Sequence, residues 1–210
     1  MIDSSKLVLF LTAALLLAIA PGPGMLYVLA RSLAGGRREG VLSSLGTFVG
    51  GIVHVMAAAA GVSAVLARSA VAFATVKYVG AAYLCLLGIR MILEARKDDA
   101  SLPAEARLPA RNPFWQGVAT EVLNPKTALF FLSFIPQFVD RHSGHVFGQF
   151  LVLGTMSVTL NTTADLVVTM FAGPLGNRIR SSARVRRSQR TATGAIMIGL
   201  GSYLAASKAE

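Results

Sequence analysis

Six apolar stretches, each long enough to cross a bilayer as a helix, take up most of the chain. They run approximately over residues 7–30, 41–66, 70–92, 114–139, 146–175 and 191–207. The composition agrees, because 54% of the residues are hydrophobic and 14% are charged, whereas an ordinary soluble domain has about 25% charged residues. The sequence therefore predicts an all-α integral membrane protein with six transmembrane helices.

Two of the six stretches contain proline motifs at membrane depth. The first stretch carries APGPG at residues 20–24, and the fourth carries LNPK at residues 123–126. Because proline lacks a backbone N–H and clashes with the preceding turn, each motif predicts a break in its helix. A lysine beside such a break is costly in a bilayer, so Lys126 is a functional-site hypothesis.

The broken helices open two similar halves of the chain. Repeat one covers about residues 6–93, a mixed-charge connector about 94–112, and repeat two about 113–207. Three spans in each half place the two repeats in opposite orientations, and broken helices at corresponding positions of inverted repeats are typical of a transport site near the midplane. We therefore expect residues 1–210 to form one transmembrane domain of two inverted three-helix repeats.

The basic residues predict how the chain is oriented. Its formal net charge is +10, which alone would allow a nucleic-acid partner, but fourteen of the twenty Lys and Arg residues fall in the first, third and fifth loops. The positive-inside rule makes these loops cytoplasmic and places both termini outside. The fifth loop, residues 178–190, is either a topology anchor or a site for anionic lipid headgroups. Membrane lipids are therefore expected partners, and nucleic acid is not.

Five segments carry a likeness to a known family. They are APGPG at 20–24, the glycine-rich second stretch with His54, KYVGAAYLCLLGIRMI at 77–92, LNPKTALFFLSFIPQFV at 123–139 and the glycine-bearing last stretch. In these motifs, and over essentially its whole length, the chain resembles the LysE/RhtB family of amino-acid exporters. The resemblance implies a multi-pass protein of the bacterial inner membrane that exports amino acids or close derivatives, driven by the proton motive force. It does not select the substrate.

The chemistry of an amino-acid site can be argued from the two breaks. A zwitterion needs partners for its carboxylate and its ammonium in a dry cavity. A helix that restarts after Pro125 presents unpaired N–H groups and a positive dipole end to a carboxylate, and Lys126 adds a charge. The break at Pro21, Gly22 and Pro23 frees backbone carbonyls, which can accept hydrogen bonds from an ammonium.

Five further polar residues lie within the apolar stretches, namely Glu121, Asp165, Asn161, His54 and Lys77. Glu121 and Asn124 share one helical face, and Asn161 and Asp165 share another. Glu121 is either a proton carrier, an ammonium partner or a charge compensator for the neighbouring lysine. Asp165 is either a coupling carboxylate or a structural partner, and His54 is either a proton relay or a hydrogen-bonded structural residue. The predicted substrate site is Pro21, Gly22, Pro23, Glu121, Asn124, Pro125, Lys126 and Asn161, and the proton-coupling candidates are His54, Glu121 and Asp165.

Other function classes find no support in the sequence. The single Cys85 cannot form a redox pair, no Cys, His and carboxylate cluster has metal-site spacing, and no phosphate-binding loop is present. We expect no enzyme activity, no cofactor and no metal. The alternatives are an exporter of another small metabolite or cation, or a membrane accessory protein that transports nothing. Small-residue helix faces would permit a homodimer.

Overall fold

The computed structural model describes residues 4–68, 70–97, 112–140, 145–172 and 183–206. Within these ranges the chain is helical and has no β-strand, which confirms the all-α prediction. The helices are α1 (Ser4–Ile19), α2 (Pro23–Arg68), α3 (Ala70–Lys97), α4 (Pro113–Val122), α5 (Pro125–Leu129), α6 (Val146–Met170) and α7 (Ala183–Ala206). After α5 the chain continues through a π-helical turn, Phe130–Phe134, and a 3-10 turn, Ile135–Phe138.

Two or three of the described helical segments are long and apolar enough to cross a membrane. Pro23–Gly61 and Val146–Met170 meet this condition alone. Pro113–Val122 and Pro125–Phe138 meet it together as one broken span, bent by 45°. Lys6–Ile19 and Thr191–Ala206 are apolar but shorter. The helices are thus those of a membrane protein.

Both predicted proline breaks are confirmed. α1 ends at Ile19 and α2 begins at Pro23, while α4 ends at Val122 and α5 begins at Pro125. Each new helix begins with its proline, where the missing N–H costs nothing because the first N–H groups of a helix have no partner within it.

Two predicted loops are largely helical. The polar segment between the first two apolar stretches continues α2, which departs from helical geometry at Gly36. Gly36 has φ 73° and ψ −170°, a region that only glycine adopts readily. The last helix begins at Ala183 and includes part of the basic fifth loop. Most of the predicted connector, residues 98–111, lies outside the described ranges, as do residues 178–182 of the fifth loop.

α2 and α6 cross through a reciprocal pair of contacts. A Cβ atom on Gly51 would lie 2.9 Å from Val158 Cγ1, and one on Gly154 would lie 2.9 Å from Val55 Cγ1. On each helix the valine follows the glycine by four residues, so both lie on one face. The contacts run in opposite directions along the two helices, which are therefore antiparallel.

α3 and α7 cross in the same manner. A Cβ atom on Gly88 would lie 2.5 Å from the carbonyl oxygen of Gly194, and one on Gly194 would lie 2.5 Å from that of Gly88. The isoleucines four residues further on, Ile92 and Ile198, each contact the opposite glycine. Glycine is needed at both positions because the two backbones approach so closely.

The hydrophobic core lies against the second break. The π-helical turn buries Phe130, Phe131 and Phe134. Phe10 of α1 packs at 5.3 Å from the ring of Phe138, which closes the core between α1 and this irregular segment. Irregular helical turns of this kind often occur beside functional sites.

Candidate functional site

The end of α1 is capped by a lysine from the second half of the chain. Nζ of Lys126 donates hydrogen bonds to the carbonyl oxygens of Leu17, at 2.8 Å, and Ala20, at 2.6 Å. The carbonyl of Leu17 has lost its helical donor, since the residue four positions on is Pro21. A positive charge at the C-terminal end of a helix is favourable, so Lys126 stabilises the broken end of α1.

The end of α4 is capped by a histidine from the first half. Nε2 of His54 lies 2.9 Å from the carbonyl oxygen of Glu121. The donor four positions on is missing because it is Pro125, and this oxygen accepts from the N–H of Asn124 at 3.0 Å as well. A carbonyl only accepts, so Nε2 of His54 carries the hydrogen. The ring of His54 stacks on Phe131 with centroids 6.2 Å apart. At each of the two breaks, a proline-freed carbonyl is thus bound by a basic side chain from the other half.

The carboxylate of Glu121 bridges the break between α4 and α5. One oxygen accepts from Asn124 Nδ2 at 3.1 Å, and the other accepts from Thr127 Oγ1 at 2.6 Å. Asn124 in turn caps α5, since its side chain accepts from the N–H of Lys126 at 3.1 Å. A Cβ atom on Gly24 would lie 2.5 Å from Glu121 Oε2. A glycine in the first turn of α2 is therefore what leaves room for this carboxylate.

Asp165 of α6 is a fully buried carboxylate with one open oxygen. Its Oδ2 accepts from Thr47 Oγ1 at 2.9 Å, whereas its Oδ1 is buried and has no hydrogen-bond partner. A buried acceptor without a partner is costly. Glu121 and Asp165 both attract the ammonium of Lys126 electrostatically, although neither forms an ion pair with it.

A small cavity lies beside Glu121 and Lys126. Its volume is about 20 Å³, which is room for about one water molecule. Polar side chains reach it from four helices, and its remaining wall is apolar. The lining residues are Ala14, Leu17, Ala18, Thr47, Gly51, Glu121, Lys126, Thr127, Phe130, Phe131, Ser157, Val158 and Asn161. A volume of this size does not hold an amino acid, so binding needs the cavity to widen.

The structure brings together part of the predicted site. Of the predicted substrate residues, Glu121, Lys126 and Asn161 line the cavity. Asn124 is buried beside it, bonded to Glu121. Gly22 contacts the lysine, because a Cβ atom there would lie 3.0 Å from Lys126 Cδ.

The three predicted prolines, Pro21, Pro23 and Pro125, are not among the lining residues. They act through the backbone, by freeing carbonyls and by starting helices. Of the coupling candidates, His54 reaches the break and Asp165 reaches Thr47. Neither of these two side chains lines the cavity itself.

Sequence reasoning missed Thr47 and Thr127, which bind the two buried carboxylates. Thr127 could have been found from its spacing, since it lies six residues after Glu121 across a break. Thr47 carries no such signal, because threonine is common in membrane helices and its partner lies on another helix. The lining role of both follows only from the packing of the helices.

A second polar cluster joins the two sides of the Gly36 break to α4. Arg31, assigned to a loop by its charge, is buried and pairs with Glu39 at 3.2 Å. It also donates to the side-chain oxygen of Gln116. Tyr27 donates to the carbonyl of Pro113 at 2.8 Å. This cluster links the first turns of α2 to the start of α4.

Comparison with known proteins places the chain in a family. The family model described as LysE type translocator matches residues 15–208. An uncharacterized membrane protein of Vibrio cholerae is 32% identical over 203 residues, which cover 95% of this chain and 96% of that protein. The leucine efflux protein of Enterobacter sp. is 28% identical over 197 residues, with 93% of each chain covered.

The leucine efflux protein of Salmonella typhimurium is 32% identical over 146 residues, which cover 70% of this chain and 69% of that protein. No solved structure matches. The likeness seen in the motifs is thereby confirmed, and the membrane helices agree with it. The chain belongs to the LysE type translocator family, and it is a membrane transporter rather than an enzyme.

Proposed function

We propose that this protein exports an amino acid from the cytoplasm and binds it at the cavity between the two helix breaks. The observation that carries the proposal is the buried Lys126, held on backbone carbonyls beside the buried carboxylates Glu121 and Asp165. Charged groups at this depth cost several kcal/mol, and packing alone does not require them. Relatives named for leucine efflux support an amino-acid substrate.

The cavity offers complementary partners to a zwitterion. The carboxylate of Glu121 and the freed carbonyl of Leu17 suit an ammonium group, while the hydroxyl of Ser157 and the amide of Asn161 can donate hydrogen bonds to a carboxylate. The phenylalanines Phe130 and Phe131 form an apolar wall, which suits a branched aliphatic side chain such as that of leucine. Asn124 is part of the site through its hydrogen bond to Glu121.

The reciprocal helix crossings support the inverted-repeat architecture. The second helices of the two halves, α2 and α6, pack through equivalent glycine and valine positions, and the third helices, α3 and α7, pack through equivalent glycine and isoleucine positions. The two proline breaks occupy corresponding places in the two halves. These are the contacts expected around one pseudo-two-fold axis. We therefore propose six membrane-spanning segments in one domain, with repeats at about residues 6–93 and 113–207.

Orientation and energy source complete the proposal. The arginine distribution favours termini outside the inner membrane. No nucleotide-binding motif occurs in the sequence, which favours coupling to the proton motive force, with Asp165, Glu121 or His54 as the proton carrier. A homodimer would use exposed surface, since the small-residue face at Gly80 packs within the chain against Ser133.

The proposal is tested in proteoliposomes with an imposed proton gradient. Labelled amino acids are screened for transport by the wild type and by Lys126→Ala, with Lys77→Ala as control, because Lys77 is a second buried lysine outside the cavity. Gradient-driven movement of leucine or a similar amino acid, lost in Lys126→Ala at unchanged protein level, is the expected result. A well-folded wild type that moves no amino acid contradicts the proposal.

A further inference from the structure

Lys126 already makes the contacts that an ammonium ligand would need. Its Nζ is held by the carbonyls of Leu17 and Ala20 at 2.8 and 2.6 Å, and its side chain is 5% exposed. Gly22 leaves the space in which the aliphatic stem lies. The carbonyls freed by the first break are therefore occupied in this conformation, and by an ammonium group.

The neighbouring carboxylates leave Lys126 a second position. Both oxygens of Glu121 take neutral donors, so this carboxylate is stable without the lysine. Asp165 keeps its Oδ1 buried and open, and its other oxygen accepts from Thr47, which lines the cavity together with the lysine. An ammonium that leaves the carbonyls of α1 thus has a buried acceptor nearby.

We propose that the carbonyls of Leu17 and Ala20 form the subsite for the substrate ammonium, and that Lys126 occupies this subsite as a tethered competitor until substrate displaces it toward Asp165. The inference rests on the proposed export of an amino acid. It assigns to Lys126 the reverse of a carboxylate-binding role, because the lysine competes with the substrate instead of attracting it.

The competition also predicts how the protein behaves without bound substrate. With the subsite vacated, two backbone carbonyls would stay buried without donors, at a cost that only a ligand could remove. Lys126 removes that cost in the absence of substrate, so the empty protein can close and return. Without the lysine, the protein still exchanges bound substrate for substrate on the other side of the membrane. The change of the substrate-free protein from one side to the other becomes slow.

The first test is equilibrium binding of labelled leucine to the purified full-length protein in lipid nanodiscs. Lys126→Met removes the competing ammonium and keeps a similar side-chain volume. We expect leucine to bind about tenfold more tightly to this variant, because the substrate no longer has to break the charge-assisted hydrogen bonds of the lysine. Each such bond contributes more free energy than a tenfold change in affinity requires. Lys126→Gln still donates to the carbonyls without a charge and should fall between the two. Lys77→Met should bind as the wild type does.

A matched ligand separates this competition from general loosening of the site. The compound 4-methylpentanoate is leucine without its ammonium group, and its affinity should not rise in Lys126→Met. Leucine binding that weakens in Lys126→Met and in Lys126→Gln, with wild-type melting temperatures, overturns the inference and leaves the export proposal standing. A wild type that binds neither leucine nor any other proteinogenic amino acid overturns both.

A second test uses transport and does not depend on affinity. In proteoliposomes, Lys126→Met should keep exchange of labelled for unlabelled leucine and lose net efflux into leucine-free buffer. Equal loss of exchange and of net efflux overturns the competitor role, since a lysine that serves only to bind substrate would affect both alike.

Discussion

Gly24→Ala is the substitution whose effect follows most directly from the coordinates. The new Cβ would lie 2.5 Å from Glu121 Oε2, which is closer than real Cβ contacts allow, so the carboxylate must move. Oε2 accepts a hydrogen bond of 3.1 Å from Asn124 Nδ2, so this is the bond that the displacement breaks. Losing a hydrogen bond to a charged group costs about 1.5–3 kcal/mol, while replacing a helical glycine by alanine returns up to about 1 kcal/mol.

The expected net effect of Gly24→Ala is a loss of about 1–2 kcal/mol in the free energy of unfolding, measured by denaturant titration in mixed micelles. Gly148→Ala is the matched control, because Gly148 also lies in the first turn of its helix and has no atom within 4 Å of its Cβ position. It should be neutral or slightly stabilising. Efflux should fall in Gly24→Ala only, since Asn124 also caps the turn that carries Lys126.

Removing the carboxylate tests the mechanism of this prediction. In a Glu121→Ala background the side chain that the new methyl group meets is absent, so adding Gly24→Ala should cost nothing further. Equal stability of Gly24→Ala and Gly148→Ala, or the same cost of Gly24→Ala with and without Glu121, would refute the reasoning.

Three further sets of substitutions test other parts of the structure. If Asp165 or Glu121 carries the proton, then Asp165→Asn or Glu121→Gln, respectively, should still exchange leucine but should no longer respond to an imposed pH gradient. An unaltered response to the gradient in both variants would exclude carboxylate coupling. His54→Ala should lower the melting temperature more than His54→Gln, whose amide still donates to the freed carbonyl, and equal values would contradict the cap. Gly36→Ala should cost roughly 1–3 kcal/mol from its backbone conformation alone, whereas Gly61→Ala, which also meets open space, should cost nothing.

The sequence predicted those parts of the fold that depend on local physics. Proline lacks an N–H wherever it stands, so the breaks before Pro23 and Pro125 follow from the residue types alone. The segment around Arg31 was assigned to a loop because it is polar. It is helical, and its buried Arg31 is bound by Glu39 of the same helix and by Gln116 of α4. A partner on another helix, such as Gln116, leaves no signal in local composition.

The site was predicted in its components but not in its arrangement. Freed carbonyls and a buried lysine were each recognised, and were assigned to opposite ends of a substrate. In the structure the lysine binds the freed carbonyls, because the end of α1 lies against the start of α5. Such a pairing depends on how two halves more than 100 residues apart pack together, which periodicity along the chain does not encode.

The two caps of the broken helices are different residues, and this difference bears on the direction of transport. The ammonium of Lys126 donates two hydrogen bonds to carbonyls at the end of α1, whereas the imidazole of His54 donates one to a carbonyl at the end of α4. A carrier with two identical halves would spend equal time open to either side. In the proposed inverted-repeat architecture the two halves hold their breaks through different donors, so we expect the resting protein to favour one side of the membrane.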